Sequence, residues 1–118
     1  MIRAQVQLER VYAAFNARDI DTVLASMNPH VDWPNAMDGG RVHGHADVRA
    51  YWTRQWARID PRVEPIGFTV EADGRVAVEV RQVVRDLAGI ILRESVVRHV
   101  YTLRDDLIVS MEIRHGHD

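Results

Sequence analysis

The chain has 118 residues and no cysteine, and its 15 basic and 17 acidic residues give a net charge of -2 at pH 7. This length predicts a single domain, residues 1–118, and the lack of cysteine excludes disulfides, thiol nucleophiles and cysteine metal sites. Charges of both signs are interspersed and no apolar run approaches the length of a membrane span. We therefore expect no nucleic-acid partner, no membrane partner and a cytoplasmic location.

Two helices are predicted at the start of the chain. The first covers residues 2 to about 17, because apolar residues recur there at the spacing of one helical face. Asp19 is a suitable cap for a short second helix, which Asn28-Pro29 would end. The positions predicted to be buried in this second helix are Ile20, Val23, Leu24 and Met27.

A short extended segment at residues 30–33 and a surface loop at residues 34–44 are predicted next. The loop holds three of the seven glycines, and loops of this composition often border a binding site. A third helix is predicted over residues 46–59, with Asp47 in its first turn and Asp60-Pro61 ending it. Its apolar stripe consists of Val48, Trp52, Trp56 and Ile59.

After Pro65 the apolar pattern changes from the helical period to the alternation of strands. Strands are predicted at residues 66–71, 75–86, 92–103 and 107–114, with turns between them. Three helices packed on one face of a four-stranded antiparallel sheet form an α+β architecture.

Polar side chains interrupt the apolar face of this predicted sheet. When the charged residues are placed outward, Gln82, Asp86, His99 and Tyr101 fall among Val, Met and Ile. A polar group there must be hydrogen-bonded or must meet water or ligand in a cavity. Two interpretations of His99 and Tyr101 stay open: they line a cavity, or backbone and cross-strand partners satisfy them. Asp86 is near the strand end, which favours a turn residue.

The opposite face of the sheet mixes charges of both signs with Val83, Val96 and Val100. A face exposed to water would be less apolar. We therefore predict a homodimer that forms through this outer sheet face.

Four motifs spread over the chain carry a family resemblance. They are Ala-Ala-Phe-Asn-Ala-Arg-Asp-Ile-Asp, Asn-Pro-His-Val-Asp-Trp, Gly-His-Ala-Asp-Val-Arg-Ala-Tyr and Val-Tyr-Thr-Leu-Arg-Asp-Asp-Leu-Ile-Val-Ser-Met. They resemble the NTF2-like superfamily, in particular its SnoaL-like and ketosteroid-isomerase-like branch. The resemblance implies a cone-like (cystatin-like) α+β fold in which three N-terminal helices and a curved four-stranded sheet enclose a pocket, and it implies dimerisation. Members include isomerases, cyclases, hydrolases, dehydratases and binding domains, so the fold does not select an activity.

The resemblance also allows a comparison with the catalytic positions of ketosteroid isomerase. The general base of that enzyme, an Asp directly before Pro, falls on Trp33, and its helix-one Tyr falls on Val11. Its second oxyanion donor falls on His99, two residues before Tyr101, which places His99 in the pocket. Since that reaction needs a base together with proton donors, steroid-type isomerisation is not expected.

His99 and Asp32 are the predicted catalytic pair, an acid and a base, provided that a bulge turns Asp32 inward. The alternative is that Asp32 points outward and caps or pairs at the rim. Core packing and a cavity position are both open for Tyr12, Trp52 and Trp56. The predicted ligand-binding residues are Tyr12, Phe15, Trp33, Trp52, Trp56, Gln82, Tyr101 and Met111.

No metal and no cofactor are expected. The pairs His43/His45 and His115/His117 are weak metal signals without supporting carboxylates, and no glycine-rich phosphate loop or nucleophile elbow is present. Two functions remain: binding of a hydrophobic or aromatic metabolite, with cofactor-free acid/base chemistry as an extension, or a non-catalytic dimerisation or ligand-sensing domain. An open cavity that contains His99 with a carboxylate within about one water-bridged hydrogen bond favours the chemistry, and a solid core of tryptophan side chains without a void excludes it.

Overall fold

The structure is a computed structural model that describes residues 2–115. Within this range the chain forms the helices α1 (Ile2–Asn16), α2 (Ile20–Ala25) and α3 (Gly44–Trp56) and one six-stranded sheet. The strands are β1 (Met27–Pro34), β2 (Arg41–His43), β3 (Ile59–Val70), β4 (Val76–Asp86), β5 (Ile91–Arg104) and β6 (Leu107–His115). The predicted α+β class is confirmed, with a curved, unclosed sheet of six strands instead of four.

The strands lie in the order β2-β1-β6-β5-β4-β3. Neighbouring strands are antiparallel except β1 and β6, which run parallel. The helices α1 and α3 contact β3, and α3 also contacts β1 and β2. One face of the sheet therefore lies against the helices, and we call it the inner face.

The second helix is shorter than predicted. Asp19 caps it as expected, because its carboxylate accepts hydrogen bonds from the Thr22 amide at 3.3 Å and the Thr22 hydroxyl at 2.6 Å. The helix ends at Ala25, and Met27 is the first residue of β1, where it is buried. Val23 and Leu24 are buried as predicted, whereas Ile20 is half-buried.

The predicted loop at residues 34–44 contains a strand that the sequence pattern did not reveal. Strand β2 pairs with β1 in a hairpin, with Trp33 opposite Val42. Gly39 and Gly40 turn the chain at φ values of 83° and 79°, which glycine adopts without steric cost. A strand of three residues is too short to show an alternation of its own.

The boundary along the chain between α3 and β3 also differs from the predicted one. The helix ends at Trp56, and Ile59 begins β3, so Ile59 does not belong to the helical stripe. Pro61 and Pro65 discouraged a strand assignment there. Because β3 is at the edge of the sheet, however, a missing N–H group breaks no pairing on its open side.

The core lies between the helices and the inner face. Along β4 and β5 the inner face has Val78 opposite His99 and Val76 opposite Tyr101, and the same face continues to Ile113 and Met111 of β6. The predicted alternation of these strands is therefore confirmed. No helix within residues 2–115 is long and apolar enough to cross a membrane.

Candidate functional site

A cavity of about 460 Å³ opens between the helices and the inner face. Its walls come from α1, α3, the β1–β2 hairpin and strands β3 to β6. Seven of the eight predicted ligand-binding residues and His99 lie in its wall. They are Tyr12, Phe15, Trp33, Trp52, Gln82, Tyr101 and Met111. Trp33 and Trp52 belong to the buried core as well as to the wall of this cavity.

Three buried side chains form a hydrogen-bonded relay in the cavity wall: Tyr101, Tyr12 and His99. The Tyr101 hydroxyl donates to the Tyr12 hydroxyl at 2.8 Å, and the Tyr12 hydroxyl lies 2.8 Å from Nδ1 of His99. A Tyr12 hydroxyl that accepts from Tyr101 can donate its own hydrogen to Nδ1, and in that arrangement the neutral ring carries its hydrogen on Nε2. Side chains, and not the backbone, bond to Nδ1 of His99 and to the Tyr101 hydroxyl.

The ring of His99 is neutral at physiological pH. Burial lowers the pKa of His99 to about 4, and the charge of His115 lowers it further in the same direction. Burial also raises the pKa of Tyr12 and of Tyr101 above the usual tyrosine value. All three groups of the relay are thus uncharged. Nε2 of His99 has no hydrogen-bond partner among residues 2–115, so it is the nitrogen available to a molecule in the cavity.

Aromatic rings make up the apolar part of the wall. Trp52 is at their centre, with ring centroids 5.6 Å from Trp33 and 5.3 Å from Phe15, both in edge-to-face geometry. Trp56 does not line the cavity. It packs behind Phe15 and Trp52, and the Arg18 guanidinium lies 5.1 Å from its ring centroid. Of the two tryptophans on α3, only Trp52 fits the predicted site, since Trp56 lies one turn further toward the helix end.

Asp32 points away from the cavity that contains His99, so the prediction that these two residues form an acid and base pair is wrong. Although the β1–β6 pairing is irregular before Asp32, this residue still alternates outward between Val31 and Trp33, which are buried. Its carboxylate accepts a hydrogen bond from Nε of Arg41 at 3.0 Å and lies 3.5 Å from Nδ1 of His43. This is the outward rim pairing considered as the alternative.

The remaining polar residues singled out by the sequence separate into two groups. Gln82 lines the cavity, whereas the Asp86 carboxylate accepts from the amides of Ala88 and Ile90 in the β4–β5 turn, at 2.9 and 3.0 Å. Residues 2–115 contain no group of three or more His, Asp or Glu side chains arranged to hold a metal ion. His117 lies outside the described residues.

The sequence patterns missed several wall residues. Ile59, Pro61 and Val63 line the cavity from the part of β3 that was assigned to a helix end and a loop. Arg93 was missed although it shares the alternation of Val97, His99 and Tyr101 along β5, the one signal that could have identified it. Tyr51 and Gln55 of α3 also line the cavity, and the Tyr51 hydroxyl accepts from the Ala36 amide at 3.0 Å.

The arrangement suits recognition of an oxygen atom inside an apolar space. A neutral imidazole N–H can donate a hydrogen bond to a carbonyl or developing enolate oxygen, as in enzymes that polarise a carbonyl with an uncharged histidine. Tyr12, itself bonded to Tyr101, holds the ring in one orientation through Nδ1. The cavity wall within residues 2–115 includes no Asp or Glu, so a carboxylate base is not part of it.

Comparisons with known proteins agree with this architecture. The chain is 28% identical to TerC, whose crystal structure was determined with polyporic acid, at a TM-score of 0.83 over 97% of this chain and 92% of that one. It is equally 28% identical to an NTF2-like protein from Burkholderia pseudomallei, at a TM-score of 0.83 over 98% and 92% of the two chains. A Mycobacterium tuberculosis protein in complex with estradiol-17beta-hemisuccinate shares the fold at 18% identity and a TM-score of 0.81, over 98% and 95%.

A search of the curated proteins found no match. The family model of the SnoaL-like domain, in contrast, matches residues 8–111, which include every helix and strand of the site at least in part. The chain belongs to the SnoaL-like domain family of the NTF2-like superfamily.

Proposed function

We propose that this protein binds a small hydrophobic or aromatic molecule in the cavity, with an oxygen of that molecule on Nε2 of His99. The observation that carries the proposal is an open cavity of about 460 Å³, a volume within the usual range of ligand pockets, lined by Trp33, Trp52 and Phe15 around one buried polar relay. A cavity with apolar walls and a few convergent polar groups is the common form of a small-molecule site.

The similar proteins support the chemical class of this ligand. One was crystallised with polyporic acid and another with an estradiol derivative, and both structures share this fold. Neither comparison identifies the ligand of this chain. The class is instead limited by the wall itself, which is mostly apolar, includes several aromatic rings and offers hydrogen-bonding groups at few places.

Acid/base chemistry on the bound molecule is a second candidate function, favoured by the relay of Tyr101, Tyr12 and His99. A hydrogen bond from the neutral imidazole to a carbonyl oxygen would stabilise an enolate and so acidify the neighbouring carbon. Asp32 has no part in this scheme because it is paired with Arg41. His99 would donate the hydrogen bond to the developing enolate oxygen, and a water molecule would accept the proton released from the carbon.

A ketone and its matched hydrocarbon test both functions. We expect deoxybenzoin to quench tryptophan fluorescence at concentrations about threefold to tenfold lower than bibenzyl, which lacks only the carbonyl oxygen, since one neutral hydrogen bond contributes about 1 kcal/mol. His99→Phe should remove this difference. In D₂O, NMR should show faster exchange of the deoxybenzoin CH₂ hydrogens with the wild type than with His99→Phe if the chemistry occurs.

The outcomes separate the two functions. Binding of neither compound by the wild type would overturn the proposed binding function. A preference for the ketone without any acceleration of exchange would leave a binding protein and reject the acid/base chemistry. Equal affinities of the wild type and His99→Phe for both compounds would show that His99 does not hold the oxygen.

The proposal includes a homodimer that forms through the outer face of the sheet. Val96 is 50% exposed on this face and lies opposite Arg81, next to cross-strand ion pairs that include Arg98 with Glu79 at 3.3 Å. An exposed apolar side chain surrounded by charges that are already paired within one protomer is compatible with a self-complementary contact.

Charge reversal tests the dimer. Light scattering should give a dimer at micromolar concentration for the wild type, and Arg98→Glu should shift it toward monomer because it places two acidic side chains together at the contact. Arg54→Glu makes the same change in net charge on the exposed surface of α3 and should stay dimeric. A wild-type monomer under these conditions would refute the proposed contact.

A further inference from the structure

One charged side chain, Arg93, lies in the cavity wall as the described residues define it, and no acidic side chain accompanies it. Because the ring of His99 is neutral, the guanidinium of Arg93 is the charged group of this wall. We infer that the ligand is an acid: an apolar, aromatic body with a carboxylate or similarly acidic group, which Arg93 binds at the cavity mouth. This inference rests on the proposed binding function and specifies its ligand class.

The register of the sheet places Arg93 at the mouth. Arg93 lies opposite Val84, and Val84 lies opposite Pro61, so the three form one row across β5, β4 and β3. All three line the cavity, and Arg93 is exposed. Further along the same face of β5, His99 and Tyr101 are buried. Arg93 therefore borders solvent while the relay lies at the buried end of the same cavity.

Two rows of the sheet lie between these two ends, and Gln82 is their residue in the cavity wall. Next to the row of Arg93 is Gln82 opposite Ser95, followed by Val80 opposite Val97 and then by the row of His99. Arg93 and His99 are six residues apart on one strand, about 20 Å at the usual rise per residue, and the long arginine side chain shortens that span. A molecule of two or three rings would connect an anionic end at Arg93 with an oxygen at His99.

The guanidinium of Arg93 is also available for such a contact. Arg81 and Arg98 on the outer face form ion pairs with Glu94 and Glu79, both at 3.3 Å. Arg93 forms no ion pair with any residue of the described range, 2–115. A guanidinium binds a carboxylate through two parallel hydrogen bonds, and the apolar wall beside it strengthens the attraction by lowering the local dielectric constant.

An acid and its matched neutral amide test the inference. We expect isothermal titration calorimetry to show that the wild type binds biphenylcarboxylic acid about five- to tenfold more tightly than biphenylcarboxamide. This ratio corresponds to the free energy of one charge-assisted hydrogen bond at a partly exposed site. Arg93→Gln should remove this preference. Increasing salt should reduce the preference of the wild type, because exposed charges are screened.

Arg62→Gln is the matched control. Arg62 is exposed on β3, next to Pro61 but outside the cavity wall, and its replacement changes the net charge by the same amount. It should keep the preference for the acid. Equal affinity of the wild type for acid and amide, or a preference that survives Arg93→Gln, overturns the inference while binding itself stands. Failure of both compounds to bind the wild type overturns the proposed function and this inference with it.

Discussion

Tyr12→Phe is expected to lower the free energy of unfolding by about 2 to 4 kcal/mol, a large loss for the removal of one oxygen atom. The Tyr12 hydroxyl is the central member of the relay, with the Tyr101 hydroxyl and Nδ1 of His99 each at 2.8 Å. Its removal leaves two buried polar groups without their partner, and each such group costs about 1 to 3 kcal/mol. Chemical denaturation followed by tryptophan fluorescence measures the change.

Tyr101→Phe is the control because it removes an end of the same relay. The Tyr101 hydroxyl donates to Tyr12 alone, and after its loss Tyr12 still bonds to His99. We therefore expect a smaller loss of about 1 kcal/mol. Both variants keep their ring and hence their packing against the core. Equal losses for the two variants would contradict a relay centred on Tyr12.

Acidification from pH 6.5 to pH 4 should remove about 3 kcal/mol of stability through His99 alone. Burial lowers the pKa of His99 from 6.5 to about 4 in the folded state. Between these values the unfolded chain binds more protons than the folded one, so the free energy of unfolding rises with pH. The stabilisation is complete above pH 6.5, falls as the pH decreases, and changes no further below pH 4.

The measurement is the difference between the wild type and His99→Gln in denaturant unfolding over this pH range. Groups that titrate in both proteins independently of His99 cancel in the difference. The glutamine amide can accept the hydrogen bond from Tyr12 but does not titrate. Stability curves that run parallel from pH 6.5 to pH 4 would contradict a buried, neutral His99.

The sequence identified the inner face of the sheet well, because β4 and β5 have a strict alternation and are central strands. Placing the charges outward was enough to bring His99 and Tyr101 to the apolar side, where the structure has them buried. Their connection through Tyr12 could not be derived in this way. It joins α1 to β5 across 87 residues, and no local pattern records which helix side chain meets which strand residue.

The wrong site assignments have local physical causes. The prediction that Asp32 turns inward required a bulge strong enough to rotate one residue of β1, but pairing with β2 keeps the outward alternation and supplies Arg41 as a partner. The first part of β3 was not predicted as a strand because it contains Pro61 and Pro65, and a strand tolerates proline mainly at an edge. Whether a strand is at an edge is a property of the assembled sheet, not of its sequence.

The parallel pairing of β1 with β6 has a consequence for how the chain acquires its fold. β6 is the last described strand to leave the ribosome, yet it lies between β1 and β5 in the middle of the sheet. Until it arrives, no strand joins the β1–β2 hairpin to the β3–β4–β5 meander, and both expose open edges. Pairing β6 with both β1 and β5 closes a loop that contains most of the chain. This step is slow because chain entropy is lost before the stabilising contacts form. Substitutions in β6 should therefore affect the rate of folding, and the yield in the cell, more than their burial alone suggests.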